Sequence, residues 1–403
     1  MPEAVIVSTA RTPIGRAMKG SLVECRPDDL AATIVKAALA KVPQLDPNSV
    51  QDLLLGCGEP AGESGNNLAR VVAILAGMPT VPGVTVNRYC SSSLQTIRMA
   101  FHAIKAGEGD VFIAAGVETV SRFVNGMNGM ADSGPHNQAF AQAEKRTAEH
   151  AQHADAWEPP TGLPDIYISM GQTAENVRLS EHVNRREMDE FAALSQQRAV
   201  HSQQNGFFER EITPITTPSG TVVSKDDGPR AGTTVEKLAE LKPVFRPDGE
   251  VTAGNSCPLN DGAAAVVIMS DAKARELGIT PLARIVSSGV SALNPEIMGL
   301  GPVNASRQAL LRAGMTMNDI DLVEINEAFA AQVIPSARHL DIPWDKLNVN
   351  GGAIALGHPY GMTGARIMTT LLNGLQSADK TYGLETMCVG GGQGMAMIIE
   401  RLS

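Results

Sequence analysis

Apolar residues recur along this chain with two different periods, and the alternation between them outlines a fold. Continuous apolar runs closed by glycine or a turn read as buried strands: VIVSTARTP from Val5, DLLLGCG from Asp52, VTVNR from Val84 and DVFIAAG from Asp110. Stretches with helical spacing stand between them. Pro27 to Val42 places Leu30, Ile34 and Leu39 on one side among alanines, and a second helix is predicted from Gly65 to Gly77. A third follows Cys90, with Leu94, Ile97, Phe101 and Ile104 at spacings of three, four and three, and Gly107 and Gly109 stop it. Strands alternating with helices predict an α/β protein whose parallel or mixed sheet is covered on both faces.

The pattern changes between about Ser121 and Thr252. Polar and helix-favouring residues dominate there, which reads as an inserted, mostly helical and loop-rich excursion, clearest in TAENVRLSEHVNRREMDEFAALSQQRAVHSQQNG from Thr173. The strand AAAVVIMS from Ala263 resumes the earlier style. The last third then repeats the first in outline. ASRQALLRAGMTMNDIDLVEINE from Ala305 mirrors ATIVKAALAKVPQLDPNSVQDLLLGCG from Ala32, and NVNGGAIALGHPYGMTGARIMTTLLNGL mirrors TVNRYCSSSLQTIRMAFHAI, each as a strand and turn feeding an amphipathic helix. Two strands, in TMCVGGGQGMAMIIE, close the chain. Two similar halves are expected, with Cys90 and His358 at corresponding strand-to-helix junctions.

Composition narrows the function classes. At 403 residues the chain is long enough for two or three domains, and 43% apolar with 19% charged residues suits a soluble globular protein. A net charge of −10 argues against nucleic acid as the main partner. No run is long and apolar enough to span a membrane, and MPEAVIVSTARTPIG enters a strand without a basic segment or signal, so a cytoplasmic protein is expected. Five scattered cysteines without a CxxC pair fit reduced thiols and disfavour a structural zinc site; no metal is expected.

Candidate chemistry gathers at the junctions. A helix start leaves N–H groups unpaired and carries partial positive charge, so a cysteine at Cys90 is expected to have a lowered pKa and to serve as a nucleophile. Ser91 to Ser93 are small enough to admit a substrate and can help cap the helix. Six glycines and prolines crowd the stretch from Gly351 to Gly364 around His358, where an imidazole could take a thiol proton or bond an oxyanion. Cys388 lies beside three glycines in MCVGGGQG, which could expose N–H groups to an oxyanion or form a tight β-turn. Asn326 ends a buried strand as a functional loop residue or a helix N-cap.

Taken together, VNRYCSSSLQ, GQTAENV, VTAGNSCPLNDGAAAV, INEAFAA, GGAIALGHPYGMTGAR and MCVGGGQGMA, in this order and spacing, resemble the thiolases over essentially the whole chain. The resemblance implies a thiolase-like fold, two duplicated α/β halves in a five-layer αβαβα arrangement with an inserted loop domain. It divides the chain into an N-terminal half of residues 1–120 plus 259–279, a loop domain at 121–258 and a C-terminal half at 280–403. It implies thiolytic cleavage of 3-ketoacyl-CoA to acetyl-CoA and a shortened acyl-CoA by a ping-pong route through acylated Cys90. His358 would activate Cys90 and, with a water held by Asn326, polarise the thioester carbonyl. Cys388 would be the acid/base, and Gly390 with the Cys90 N–H would form a second oxyanion hole.

The same resemblance points to Met170, Phe245, Met298, Phe329 and Ser256 for coenzyme A, a co-substrate and not a permanent cofactor, and to a homodimer or homotetramer. Two departures bear on the pocket. Ser169 stands where many thiolases have histidine, and after the Gly254-Asn255 pair Ser256, Cys257 and Pro258 replace Ala-Ser-Gly. Cys257 is expected near the pocket but outside the chemistry, and Cys25 and Cys57 in packing. A decarboxylating ketoacyl synthase lacks a second cysteine, so Cys388 argues against it; an acyl-CoA binding protein would have lost Cys90, His358 or Cys388. Synthesis of acetoacetyl-CoA uses the same residues; Ser169 tips the expectation toward the degradative direction.

Overall fold

The computed structural model describes residues 2–124, 136–152 and 155–403. The first half runs β1 (Ala4–Arg11), β2 (Gly15–Arg16), α1 (Pro27–Ala40), β3 (Asp52–Gly56), α2 (Leu68–Leu75), β4 (Gly83–Val86), α3 (Ser92–Ala106) and β5 (Val111–Thr119). The intervening segment holds α4 (Val120–Val124), α5 (Ala141–His150), α6 (Met170–Ser180), α7 (Arg185–Gln204), the short pair β6 (Ile215–Thr216) and β7 (Val222–Val223), and α8 (Val235–Ala239). Then come β8 (Asn260–Ser270), α9 (Asp271–Glu276), β9 (Ala283–Ala292), α10 (Gly301–Ala313), β10 (Leu322–Ile325), α11 (Ala330–His339), α12 (Ala353–Leu356), α13 (Thr363–Ser377), β11 (Tyr382–Val389) and β12 (Gln393–Arg401). The helical, loop-rich reading of the segment after Ser121 holds for its described residues; 125–135 and 153–154 lie outside them.

Strand order exposes the duplication. The hydrogen-bonded path is β10-β11-β12-β9-β1-β8-β5-β3-β4. Its first-half portion β1-β8-β5-β3 is matched, strand for strand, by β9-β12-β11-β10. The two halves are stitched by a brief antiparallel pairing of β1 with β9 at Val5–Arg284 and Ile6–Ala283. Along β1 and β3 neighbouring residues serve different cores, as a strand's alternation requires. Val5, Leu53 and Leu55 pack outward against α1 and α2. Ile6 and Leu54 face inward with Leu94 and Ile97 of α3 and Met368 and Leu371 of α13. Val323, Ile325 and Ile398 pack on the far side with Ala305 of α10 and Val333 of α11. Helices, sheet, the α3–α13 layer, sheet and helices give the five layers.

One element departs from the sequence pattern. The strand expected before His358 is reduced to a single parallel bridge, Val323 with Leu347, at the place β4 occupies beside β3 in the first half. The Asn348 side chain stands in for the missing strand. Its Oδ1 accepts from the Ile325 N–H at 2.9 Å and its Nδ2 donates to the Ile325 carbonyl at 2.9 Å. Asn348 itself sits at φ +44°, which ends extended pairing. The helix predicted from Gly65 shortens to α2 because Asn66 and Asn67 both adopt positive φ.

Candidate active site

The turn between β4 and α3 carries Cys90. Asn87 Oδ1 accepts from the Tyr89 N–H at 2.8 Å, and Tyr89 takes φ +43°, an uncommon conformation for a side chain of its size. Tyr89–Ser91 then forms one 3₁₀ turn, and α3 begins at Ser92, just after the cysteine. The three serines are wholly buried. Ser91 and Ser92 hydroxyls donate to the Arg88 and Tyr89 carbonyls, and Ser93 Oγ accepts from the Ala365 N–H at 2.9 Å, fastening α3 to α13.

The expectation of an acidified Cys90 thiol is overturned. Burial pushes it up to about 11, and the Glu118 charge adds to this, while the N–H groups of Gly390 and of Cys90 itself pull the other way. Desolvation of a thiolate outweighs two backbone donors when no cation is beside it. Cys90 therefore rests as a thiol.

His358 lies in the turn that leads into α13, buried to 2% exposure. Its N–H donates to Asn260 Oδ1 at 3.0 Å. Nδ1 lies 2.6 Å from Thr363 Oγ1, and that hydroxyl donates to the Pro359 carbonyl at 2.8 Å. Nε2 lies 3.3 Å from Asn326 Nδ2. Burial and the Arg366 charge hold the ring's pKa down to about 3, so it is neutral. Asn326 follows β10, its N–H bonded to the Thr386 carbonyl at 3.0 Å. It does not cap a helix, since α11 starts only after Phe329. Its Oδ1 has no hydrogen-bond partner among the described residues.

Cys388 ends β11 opposite Gly394, and Gly390 to Gly392 turn the chain into β12 with Gly391 and Gly392 at φ +76° and +77°. MCVGGGQG forms the tight hairpin turn, and the Gly390 N–H in it acts on the Cys90 sulfur. Cys388 is fully buried, and its thiol is pushed up by burial and by the nearby Cys90 and Cys257. Tyr360 connects His358 to these thiols: the rings meet edge-on at 5.3 Å, and Cys257 and Cys90 lie close enough to act on its phenol. Cys90, Gly390 and Cys388 thus lie near one another in a desolvated region, with His358 beside them through Tyr360 and Asn326 bonded to His358.

Family models for the thiolase N-terminal domain and the thiolase C-terminal domain match residues 4–272 and 279–401. The chain belongs to the thiolase family. It is 43% identical over 413 residues to a 3-ketoacyl-CoA thiolase of Bacillus subtilis, covering 99% of this chain and all of that protein. It is 44% identical over 407 residues to a beta-ketoadipyl-CoA thiolase of Pseudomonas aeruginosa, covering 99% of each. The crystal structure of the Bacillus anthracis acetyl-CoA acetyltransferase superposes with a TM-score of 0.86 at 39% identity, over 100% of this chain and 99% of that one. Thiolases are acyltransferases with coenzyme A as co-substrate. No helix among the described residues is long and apolar enough to cross a membrane, and no described cluster could hold a metal ion.

In this thiolase a cavity of about 390 Å³ has Phe245, Ser256, Cys257 and Leu259 in its wall, with Arg16 and Arg230 also lining it; Cys90, His358 and Cys388 are not among its lining residues. Of the five residues expected at coenzyme A, only Phe245 and Ser256 line this cavity. Ser256 turns its hydroxyl inward to the Thr252 carbonyl at 2.5 Å. Phe245 lies against Gly171, where a Cβ would enter its ring, and meets Phe329 edge-on at 6.0 Å. Phe329 and Met298 belong to the buried core behind it, and Met170 faces Gly390 instead. Cys257, expected near the pocket, does line it. Sequence reasoning missed Thr363, Asn260, Tyr360, Arg16, Arg230 and Glu118. Only Glu118 left a signal, as a lone acid closing the buried run VFIAAGVET.

Proposed function

We propose that this thiolase cleaves a 3-ketoacyl-CoA with free coenzyme A, giving acetyl-CoA and a shortened acyl-CoA. His358 Nε2 takes the Cys90 proton, and the sulfur attacks the 3-keto carbon. The N–H groups of Gly390 and Cys90 hold the oxygen that becomes negative. As the carbon–carbon bond breaks, His358 and Asn326 polarise the thioester carbonyl of the departing acetyl-CoA, and Cys388 protonates its carbanion carbon. The acyl group left on Cys90 is then taken by a second coenzyme A thiol, and every step runs in reverse for condensation. Phe245 and Ser256 line the cavity in which the pantetheine arm is placed, with Phe329 and Met298 packed behind Phe245 and Met170 on the side of Gly390.

The observation that carries this reading is that two backbone donors, Gly390 N–H and Cys90 N–H, act on the Cys90 sulfur, and that the buried Cys388 thiol is near enough for Cys90 to raise it. Claisen cleavage needs a nucleophile at the ketone and a separate acid at the leaving carbon, and two thiols in one dry site divide these roles. We place the enzyme in the cytoplasm as a homodimer or homotetramer, and we divide it into halves at 1–120 plus 259–279 and 280–403 around the loop domain 121–258.

The test is to mix the protein with a 3-ketoacyl-CoA, withhold free coenzyme A, quench in acid and identify acylated peptides by mass spectrometry. An acyl group on the Cys90 peptide, cleared by adding coenzyme A, supports the reading; binding of the ester without an adduct overturns it in favour of an acyl-CoA binding protein. Relatives are named for 3-ketoacyl-CoA and for beta-ketoadipyl-CoA, so one linear and one carboxylate-ended substrate are compared.

A further inference from the structure

Beneath the Cys90 turn lies a buried acid that the reaction above does not use. Glu118, at the end of β5, is 1% exposed. Its Oε2 accepts from the Gly58 N–H and the Gly361 N–H, both at 2.8 Å. Its Oε1 accepts from the Glu59 N–H at 3.2 Å and lies 3.6 Å from Cys57 Sγ. One carboxylate therefore ties together two loops far apart in sequence: the loop after β3, and the loop that carries His358 and Tyr360. The fit is close on every side. A Cβ at Gly116, two residues before Glu118, would strike the Gly361 carbonyl, and a Cβ at Gly361 would strike the Gly56 and Val117 carbonyls. A shift of the His358 loop is thus blocked on the side of β3 and β5.

We propose that Glu118 is a positioning residue for the Cys90–His358 pair: its carboxylate fixes the His358 loop against the loop after β3. When ionised, its charge adds to the burial that keeps the Cys90 sulfur a thiol. The inference rests on the acyl-Cys90 reading above. Three backbone donors favour the ionised carboxylate, yet burial opposes it and brings its pKa up to about 7. The titratable groups facing it are Cys57 and Glu59 from the loop after β3, Cys90 from its turn, and Tyr360 from the His358 loop. None is a cation, and the Glu118 charge acts on Cys90 in the same direction as burial, which is the larger cause. A thiol held neutral does not react with stray electrophiles, and it ionises only when a substrate occupies the site and His358 accepts the proton.

Two variants separate charge from position. Glu118→Gln keeps the shape and removes the charge; Glu118→Asp keeps the charge and shortens the reach, so that Gly58 and Gly361 cannot both be held. The readouts are the pH midpoint of Cys90 alkylation by iodoacetamide, followed by peptide mass spectrometry, and kcat and KM for thiolysis. Glu118→Gln is expected to lower the midpoint by up to about one pH unit, as the removal of one neighbouring charge in a protein does. Glu118→Asp is expected to leave the midpoint in place. Both are expected to lower kcat at least about tenfold with KM for coenzyme A within about twofold. An unmoved midpoint in folded Glu118→Gln, or wild-type kcat in folded Glu118→Asp, overturns the proposal. If Glu118→Gln does not fold, the Asp variant alone decides; if neither folds, Glu118 is a fold determinant and the proposal fails. Wild-type protein that never acylates Cys90 overturns the underlying reading instead, and the same alkylation assay on it tells the two failures apart.

Discussion

His358 Nδ1 and Thr363 Oγ1 stand 2.6 Å apart, and this contact assigns the ring's tautomer. The threonine hydroxyl has one proton, and it points to the Pro359 carbonyl at 2.8 Å. Nδ1 must then carry the ring proton and donate to Oγ1, which leaves the lone pair on Nε2. The acceptor nitrogen is therefore Nε2, 3.3 Å from Asn326 Nδ2, and neither the ring nor the Cys90 thiol is charged at rest.

Replacing Thr363 by valine keeps the shape and removes the acceptor. Nδ1–H is then left without its partner in a buried site, and the ring loses both its orientation and its single tautomer. By analogy with other buried partners that orient a reactive imidazole, kcat should fall about ten- to hundredfold. KM for coenzyme A should move less than about twofold, since Thr363 does not line the cavity. Steady-state thiolysis measured on the folded variant checks this, and a rise in KM without a fall in kcat would count against the assignment.

His358 also writes itself into stability. Its folded pKa, about 3, lies below the ordinary 6.5. The contribution of the neutral ring is therefore complete above about pH 6.5 and is lost as pH falls toward 3. Between pH 6.5 and pH 5 the wild type should lose about 2 kcal/mol relative to His358→Asn. Glu118, near 7, and Glu324, near 8, act in the opposite sense, because burial raises their values and their contribution is lost as pH rises. Urea unfolding of both proteins at the two pH values isolates the histidine, since the acids are common to both. A difference that does not change with pH would remove the buried neutral ring from the account.

Much of this was legible because period and punctuation speak about local structure. The continuous run from Val5 and the helical spacing of Leu94, Ile97, Phe101 and Ile104 do form β1 and α3, and the repeated outline does correspond to two halves with matching strand order. What the sequence concealed depends on burial and on long-range partners. The thiol of Cys90 was expected to be acidified by the helix start, a local feature, and is set instead by desolvation, which the whole fold determines. The missing strand before His358 is another case, for only contact with Ile325 shows that the Asn348 side chain takes its place. Met298 and Phe329 look like any core residues in sequence, and only the fold shows that they pack in one cluster with Phe245 against it.

The three glycines after Val389 look alike in sequence and differ in the fold. At Gly390 a Cβ would meet Tyr89 Cδ2 at 3.4 Å and Met170 Sδ at 3.8 Å, ordinary contact, and φ is not positive. At Gly392, φ is +77° and a Cβ would strike the Leu293 carbonyl. Gly390→Ala should therefore fold with a loss under about 1 kcal/mol, whereas Gly392→Ala should cost about 2 kcal/mol or more. Denaturant unfolding ranks the pair, and equal losses would show that the hairpin tolerates a side chain where its backbone argues otherwise.

Cys388 gives the sharpest separation of steps. Acylation of Cys90 by a simple acyl-CoA requires attack on a thioester and departure of a thiol, with no carbanion to protonate. Cleavage of a 3-ketoacyl-CoA requires an acid at the departing carbon. Cys388→Ala removes a fully buried sulfur from the end of β11 and leaves the Gly390 turn and its N–H in place. Exchange of labelled coenzyme A into acetyl-CoA should then persist within about tenfold of wild type, while thiolysis should fall about 10²- to 10⁴-fold, the usual worth of a positioned acid or base. If both reactions fell together, Cys388 would be supporting Cys90 and not protonating carbon; if neither fell, the acid would have to be sought elsewhere in the site, with the Cys257 thiol in the cavity wall first in line.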